Sequence, residues 1–181
     1  MRKSISLIAM TLLLCALAAC STVSPRRGFN RAMIDRNIQI TAQHALDTDP
    51  QLQGRVHIGT SVYNGVLLMI GEASTEADKA RAEADVTGYE SVRKIVNLVD
   101  VMPPASVPRN ALDAALTASV KTSLLGVGLP GFDPGRVKVS TAHGNVYLMG
   151  LLTHAEAAAV TAKVSHVAGV QKVVPVFEYT D

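Results

Sequence analysis

Gly54-Arg55-Val56-His57-Ile58 returns as Gly135-Arg136-Val137-Lys138-Val139, and the residues that follow return with it. Setting Gly71 on Gly150 lays Met69-Ile70-Gly71 over Leu148-Met149-Gly150. After a one-residue gap, Val92-Arg93-Lys94-Ile95-Val96 falls on Val170-Gln171-Lys172-Val173-Val174. Self-similarity over such a period marks a duplicated structural unit. Each copy spans roughly 65–70 residues, near the lower limit at which a chain folds without metals or disulfides. Neither copy has room for a deep substrate cavity.

Both copies carry the same order of signals. In the first, Ile34, Ile38, Ala42, Ala45 and Leu46 recur at helical spacing, and two β-branched or apolar runs, 56–60 and 66–70, flank the turn Tyr63-Asn64-Gly65. Thr75-Glu76-Ala77-Asp78 supplies an N-cap with an acid three residues on, opening a helix expected to stop at Gly88 before a strand over 92–101. In the second, Leu112, Leu116, Val120 and Leu124 form an inward helical stripe, and strands follow at 137–140 and 146–149. The capping box Thr153-His154-Ala155-Glu156 opens a helix ending near Gly169, and the last strand covers 170–179. The order helix, strand, strand, helix, strand predicts an α+β module with both helices on one face of a three-stranded mixed sheet. The expected segments are an export signal over 1–19, an acylated Cys20 with a flexible tether to 32, module 1 over 33–102, a Pro-rich linker over 103–110 and module 2 over 111–181.

The export signal rests on Arg2-Lys3 ahead of an apolar run, 5–17, too short to span a bilayer. Leu17-Ala18-Ala19-Cys20 resembles the lipobox of bacterial lipoproteins, which implies acylation of Cys20, and Ser21 at the next position implies sorting to the outer membrane. Two or more acyl chains, at about 0.8 kcal/mol per buried methylene, make a stable anchor. Cys15 falls in the removed segment, so the mature chain has no internal disulfide and no cysteine metal site. The tether, 21–32, reaches roughly 40 Å fully extended, or about 20 Å on average as a flexible chain.

The chain is 48% hydrophobic, poor in aromatics and without Trp. Removing Arg2 and Lys3 abolishes the formal charge of +2, so a nucleic-acid role loses its electrostatic basis. The charge is uneven: Arg26, Arg27 and Arg31 make the tether basic, residues 33–102 hold ten acids against six bases, and residues 105–181 hold six bases against five acids. The tether and the second module are therefore the parts suited to an anionic surface.

Gly-Asn-Val-Tyr-Leu-Met-Gly (144–150) followed by Val-Ala-Gly-Val-Gln-Lys-Val-Val (167–174) resembles the BON domain. Two such modules behind a lipobox resemble the dual-BON-domain outer-membrane lipoproteins of Gram-negative bacteria, the division- and outer-membrane-stress-associated lipid-binding family. The resemblance implies a non-catalytic role in outer-membrane integrity at the periplasmic face, without a cofactor, and binding of anionic phospholipid through the second module. It directs attention to the outer face of the second module's first helix, where Ala115, Ala118, Ser119, Lys121, Thr122 and Leu125 form a small, weakly polar surface with one cation. Relatives can carry a large aromatic where Ala115 stands, so this face should grip a membrane more weakly. Val127, Leu129 and Phe132 in the connector after it are placed either in the lipid interface or across the end of the core.

Enzyme signals fail in context. Gly126-Val127-Gly128-Leu129-Pro130-Gly131 satisfies GxGxxG, but it follows a helix instead of a strand and Pro130 stands where a phosphate loop would enter its helix. His44, His57, His143, His154 and His166 show no paired ligand spacing and read as scattered surface residues, and Asp47 and Asp49 fall in a predicted turn. The competing reading is an adaptor for envelope or outer-membrane assembly proteins, in which a sheet face or edge near Thr60 or Thr141 accepts a partner.

Overall fold

The computed structural model describes residues 27–103 and 107–181. The export signal 1–19, Cys20, the tether through residue 26 and Pro104-Ala105-Ser106 lie outside the described residues. Module 1 runs α1 (Phe29–Thr48), β1 (Val56–Tyr63), β2 (Val66–Ala73), α2 (Glu76–Asp85) and β3 (Lys94–Val101). Module 2 repeats it as α3 (Val107–Leu124), a 3-10 turn (Pro134–Arg136), β4 (Val137–Ala142), β5 (Asn145–Leu152), α4 (His154–Ser165) and β6 (Lys172–Tyr179). Each sheet has its middle strand, β2 or β5, antiparallel to the strand before it and parallel to the strand after it. This is the expected α+β arrangement with both helices on one sheet face.

Several boundaries move. Helix begins at Phe29 and Val107, which shortens the expected tether and linker; Pro108 is tolerated because first-turn amides have no partner inside the helix. The second helices stop at Asp85 and Ser165, a few residues before Gly88 and Gly169, whose positive φ angles of 83° and 91° belong to the turns that follow.

The repeated residues have repeated jobs. Arg55 binds the carboxylate of Asp78, at 2.7 and 2.9 Å, and Arg136 binds Glu156. Asp78 and Glu156 both stand at the third position of the second helix, where Thr75 and Thr153 cap its amides, so the Gly-Arg-Val motif ties the first strand to the start of that helix. Both hairpins turn on two residues of positive φ, Asn64-Gly65 and His143-Gly144, the twist that two-residue hairpins need. A carboxylate from the first helix holds each turn. Asp35 accepts from the amides of Asn64 and Gly65 at 2.7 and 2.9 Å, and Asp113 from those of His143 and Gly144 at 2.9 Å each. The duplicated Gly71 and Gly150 face β1 and β4 so closely that a Cβ would stand 2.1 Å from the His57 carbonyl oxygen or 2.7 Å from that of Arg136.

Side chains alternate between two cores. Leu67, Met69 and Ala73 of β2 meet Ile38, Ala42 and Leu46 of α1, while Val146, Leu148 and Leu152 of β5 meet Val120, Leu124 and Val160. The opposite faces pack on each other: Val66, Leu68 and Ile70 join Tyr147 and Met149 in a third cluster shared by the modules. The two sheets are thus pressed face to face with helices outside, which is why all eight residues of β2 are buried. Among the described residues, no helix is long and apolar enough to cross a membrane.

Candidate functional site

The face singled out on α3 lies on the solvent side of that helix. Leu116, Val120 and Leu124 are buried, and Ala115, Ala118, Ser119, Lys121, Thr122 and Leu125 are all exposed. Its two hydroxyl groups fold back on their own helix: Ser119 donates to the Ala115 carbonyl at 3.1 Å and Thr122 to that of Ala118 at 3.0 Å. The face is consequently less polar than its composition. Leu112, expected to point inward, is 72% exposed, and Leu125 is 74% exposed. The reason is Asp113, which occupies the inward position at this end of the helix to reach the hairpin amides and rolls Leu112 outward. Beside the face runs a groove of about 750 Å³, lined by Leu112, Ala115, Leu116 and Ser119 of α3 with Met102 and Gly169 opposite. The small side chain of Ala115 leaves it open. Lys121 lies in the last turn of α3, where a cation also complements the helix dipole.

The connector after α3 is settled differently. Val127 and Phe132 pack against the second core, so they close its end and do not form part of the outer face. The glycine-rich string lies between a helix and a short 3-10 turn, without the preceding strand that a dinucleotide site needs. Asp47 lies in α1 and accepts from Gln43, whereas Asp49 does sit at a turn, accepting from the Gln51 amide and from Arg81. Hydrogen bonds from Arg81 and then from the Gln51 amide hold the Asp49 carboxyl below its ordinary pKa.

Two histidines read as scattered are not. His143 Nε2 contacts the buried Glu72 carboxylate of module 1, His57 Nδ1 approaches the same carboxylate at 3.4 Å, and His143 Nδ1 lies 3.4 Å from Asp100. Strand register sets Glu72 between His57 and Asp100 within the first sheet, and the stacking of the sheets adds His143. The seam has further polar ties. Lys138 donates to Gln39 at 2.6 Å and to the Val62 carbonyl at 3.2 Å, Ser140 bonds Ser61, and Glu178 accepts from Asn64 and Arg93. Burial, helped by the nearby cations Arg27, Lys121 and Arg36 and opposed by Asp35, lowers the Lys138 pKa to about 8.

The adaptor reading keeps the edge strands of the two sheets and loses the inner faces. The inner sheet faces are covered by each other. Thr60 is buried with its amide bonded to Gln43, and Thr141 is half-buried and bonded to Thr117 and the Asp113 carbonyl. Among the described residues, no group of three or more His, Cys, Asp or Glu side chains is placed to hold a metal ion.

The repeated module, its caps and its hairpins define a tandem α-β-β-α-β protein, and the BON domain model matches residues 34–103 and again 112–181. The chain is 30% identical over 171 residues to "Outer membrane lipoprotein DolP" of Haemophilus influenzae, covering 92% of this chain and 84% of the relative. It is 31% identical over 145 residues to "21 kDa hemolysin" of Actinobacillus pleuropneumoniae, covering 80% of this chain and 74% of that one. The chain belongs to the BON-domain family, among its dual-domain, non-catalytic outer-membrane lipoproteins.

Proposed function

We propose that the protein is held at the periplasmic face of the outer membrane by acyl chains on Cys20 and that the outer face of α3 in module 2 makes reversible contact with anionic phospholipid, supporting membrane integrity. The observation that carries this reading is the exposed row Leu112, Ala115, Ala118, Ser119, Thr122 and Leu125, apolar or self-satisfied, with Lys121 at its edge. Leu112 and Leu125 stand about 20 Å apart along the axis, at about 1.5 Å per residue, and at 3.6 residues per turn they flank the small residues from either side, so a helix lying flat would bring those small residues to the headgroup boundary with a leucine at each margin.

The test mixes the mature chain carrying Cys20→Ser with phosphatidylglycerol or phosphatidylcholine vesicles. Preferential sedimentation with phosphatidylglycerol is expected. Half-submerging a leucine is worth about 1 kcal/mol, so Leu125→Asp should weaken binding about fivefold or more, and Lys121→Glu should flatten the lipid preference. Failure to sediment with either vesicle would refute the lipid contact. The anchor is tested separately by mass spectrometry of the native protein, where an unmodified Cys20 thiol would remove it.

A further inference from the structure

One row of module 1 sets two acids side by side at the seam. Register places His57 of β1, Glu72 of β2 and Asp100 of β3 across the first sheet, and Glu72 shares the parity of Val66, Leu68 and Ile70, so the row faces module 2. The Glu72 carboxylate is buried, and Asp100 is its partner on the neighbouring strand. Carboxylates placed this way repel each other unless a cation comes between them.

His143 of module 2 comes between them. It lies in the β4–β5 turn with its side chain 12% exposed, and it directs Nε2 at Glu72 and Nδ1 at Asp100, the latter at 3.4 Å. Neutral imidazole carries one N–H and one lone pair, so it donates to one of these carboxylates and turns a lone pair on the other; the imidazolium donates to both. The charged and titratable groups around the ring are Glu72, Asp100 and His57 from the three strands of module 1, Asp113 from α3, which accepts from the His143 amide, and Tyr147 from β5. Burial first, and then the Asp100 charge, raise the Tyr147 pKa, so that hydroxyl stays neutral while the imidazole titrates. His143 lines both the cleft of about 670 Å³ between the modules and the groove beside α3, so water reaches the ring from two sides.

The turn itself does not call for an imidazole. Asn64 holds the equivalent place in module 1 at φ 49°, against 54° for His143, and Asp35 secures its amide as Asp113 secures that of His143. What histidine adds is reach across the seam. At the other end of β2 the modules are tied through Glu178, which accepts from Asn64 and Arg93, and that tie contains no imidazole.

We propose that His143 is a proton-operated clasp between the two modules: the imidazolium bridges Glu72 and Asp100 and closes this end of the sheet pair, and release of its proton frees one carboxylate and loosens the docking there. The bridge is complete on the acid side and loses one of its two hydrogen bonds as pH rises through the range in which imidazole changes charge. It is a property of the seam and stands whether or not α3 meets lipid.

The experiment follows amide hydrogen exchange by NMR in the mature Cys20→Ser chain at pH 5.5 and 8.5, with each rate divided by that of an unstructured amide at the same pH. Protection of the amides of Glu72, His143 and Gly144 should fall about tenfold between the two, as the loss of one hydrogen bond to a charged group implies, while Ala82 and Val160 in the helix-side cores keep theirs. His143→Asn, a residue that module 1 carries in the same turn, should abolish the dependence, and His57→Gln should retain it. Persistence of the dependence in His143→Asn would assign the proton elsewhere and overturn the clasp, with its loss in His57→Gln instead naming His57. Equal protection at both pH values, or a fall shared equally by Ala82 and Val160, would overturn it as well.

Discussion

Asp113→Ala should unfold the second module's hairpin from its turn inward. The carboxylate accepts from two consecutive amides at 2.9 Å each, in a half-buried setting at the junction of α3 with the β4–β5 turn. Hydrogen bonds to a charged acceptor contribute about 1.5–3 kcal/mol apiece, and the turn is accessible enough that water recovers part of this, which puts the loss near 3 kcal/mol. Asp113→Asn keeps one acceptor oxygen and should lose about half as much. Urea unfolding of the mature chain measures both, and amide exchange at His143 and Gly144 should rise in step. If Asn proved as costly as Ala, or if Ala cost less than about 0.5 kcal/mol, the carboxylate would not be what secures the turn, and the equivalence of Asp113 with Asp35 would lose its physical meaning.

The duplicated arginines should behave unequally. Arg136 is buried against Glu156, so Arg136→Ala should cost about 3 kcal/mol, whereas loss of the half-exposed Arg55 should cost much less in the same urea assay. Gly71→Ala, whose Cβ would meet the His57 carbonyl oxygen at 2.1 Å, should destabilise module 1 by about 2 kcal/mol or more, read as a lowered unfolding midpoint. The Lys138 pKa of about 8 lies below the ordinary lysine value, so between pH 8 and 10.5 the unfolded chain holds a proton that the folded one has released, and unfolding free energy must rise with pH. Between pH 7.5 and pH 9.5 the unfolding free energy of the native chain should rise relative to that of Lys138→Met as the ammonium is neutralised; a difference that does not change with pH would contradict its burial as a cation.

The legible parts of the fold were those written in local chemistry. Asn64-Gly65 announces a tight hairpin, Thr153 and Glu156 announce a helix start, and the recurrence of Gly-Arg-Val aligns the two copies without reference to space. Leu112 was misplaced because apolar periodicity assigns every apolar residue in register to the core, and it does not weigh an adjacent acid with a better claim to that position. The same pairing, Ile34-Asp35, recurs in module 1, where Ile34 is 39% exposed and Asp35 is buried, so comparison of the copies contained the signal. The face-to-face sheets were likewise foreshadowed by the unbroken apolar run of β2, since a strand solvated on one side alternates. The pairing of His57 with Glu72 follows from the hairpin register that Asn64-Gly65 sets, but the arrival of His143 had no such trace, since only the docking of one copy on the other brings it there. On α3 the exposed face was legible; the retraction of its hydroxyls onto the helix and the groove beside Ala115 were not.

Because Val66, Leu68 and Ile70 find their cover in Tyr147 and Met149, neither half is a finished object. A fragment cut at the prolines between them would display a bare apolar sheet, and its clumping or degradation would be mistaken for loss of a specific duty. Selection is bound in the same way: since the copying event, each half has been the other's environment, and a change on one inner strand is admissible only if its counterpart tolerates it.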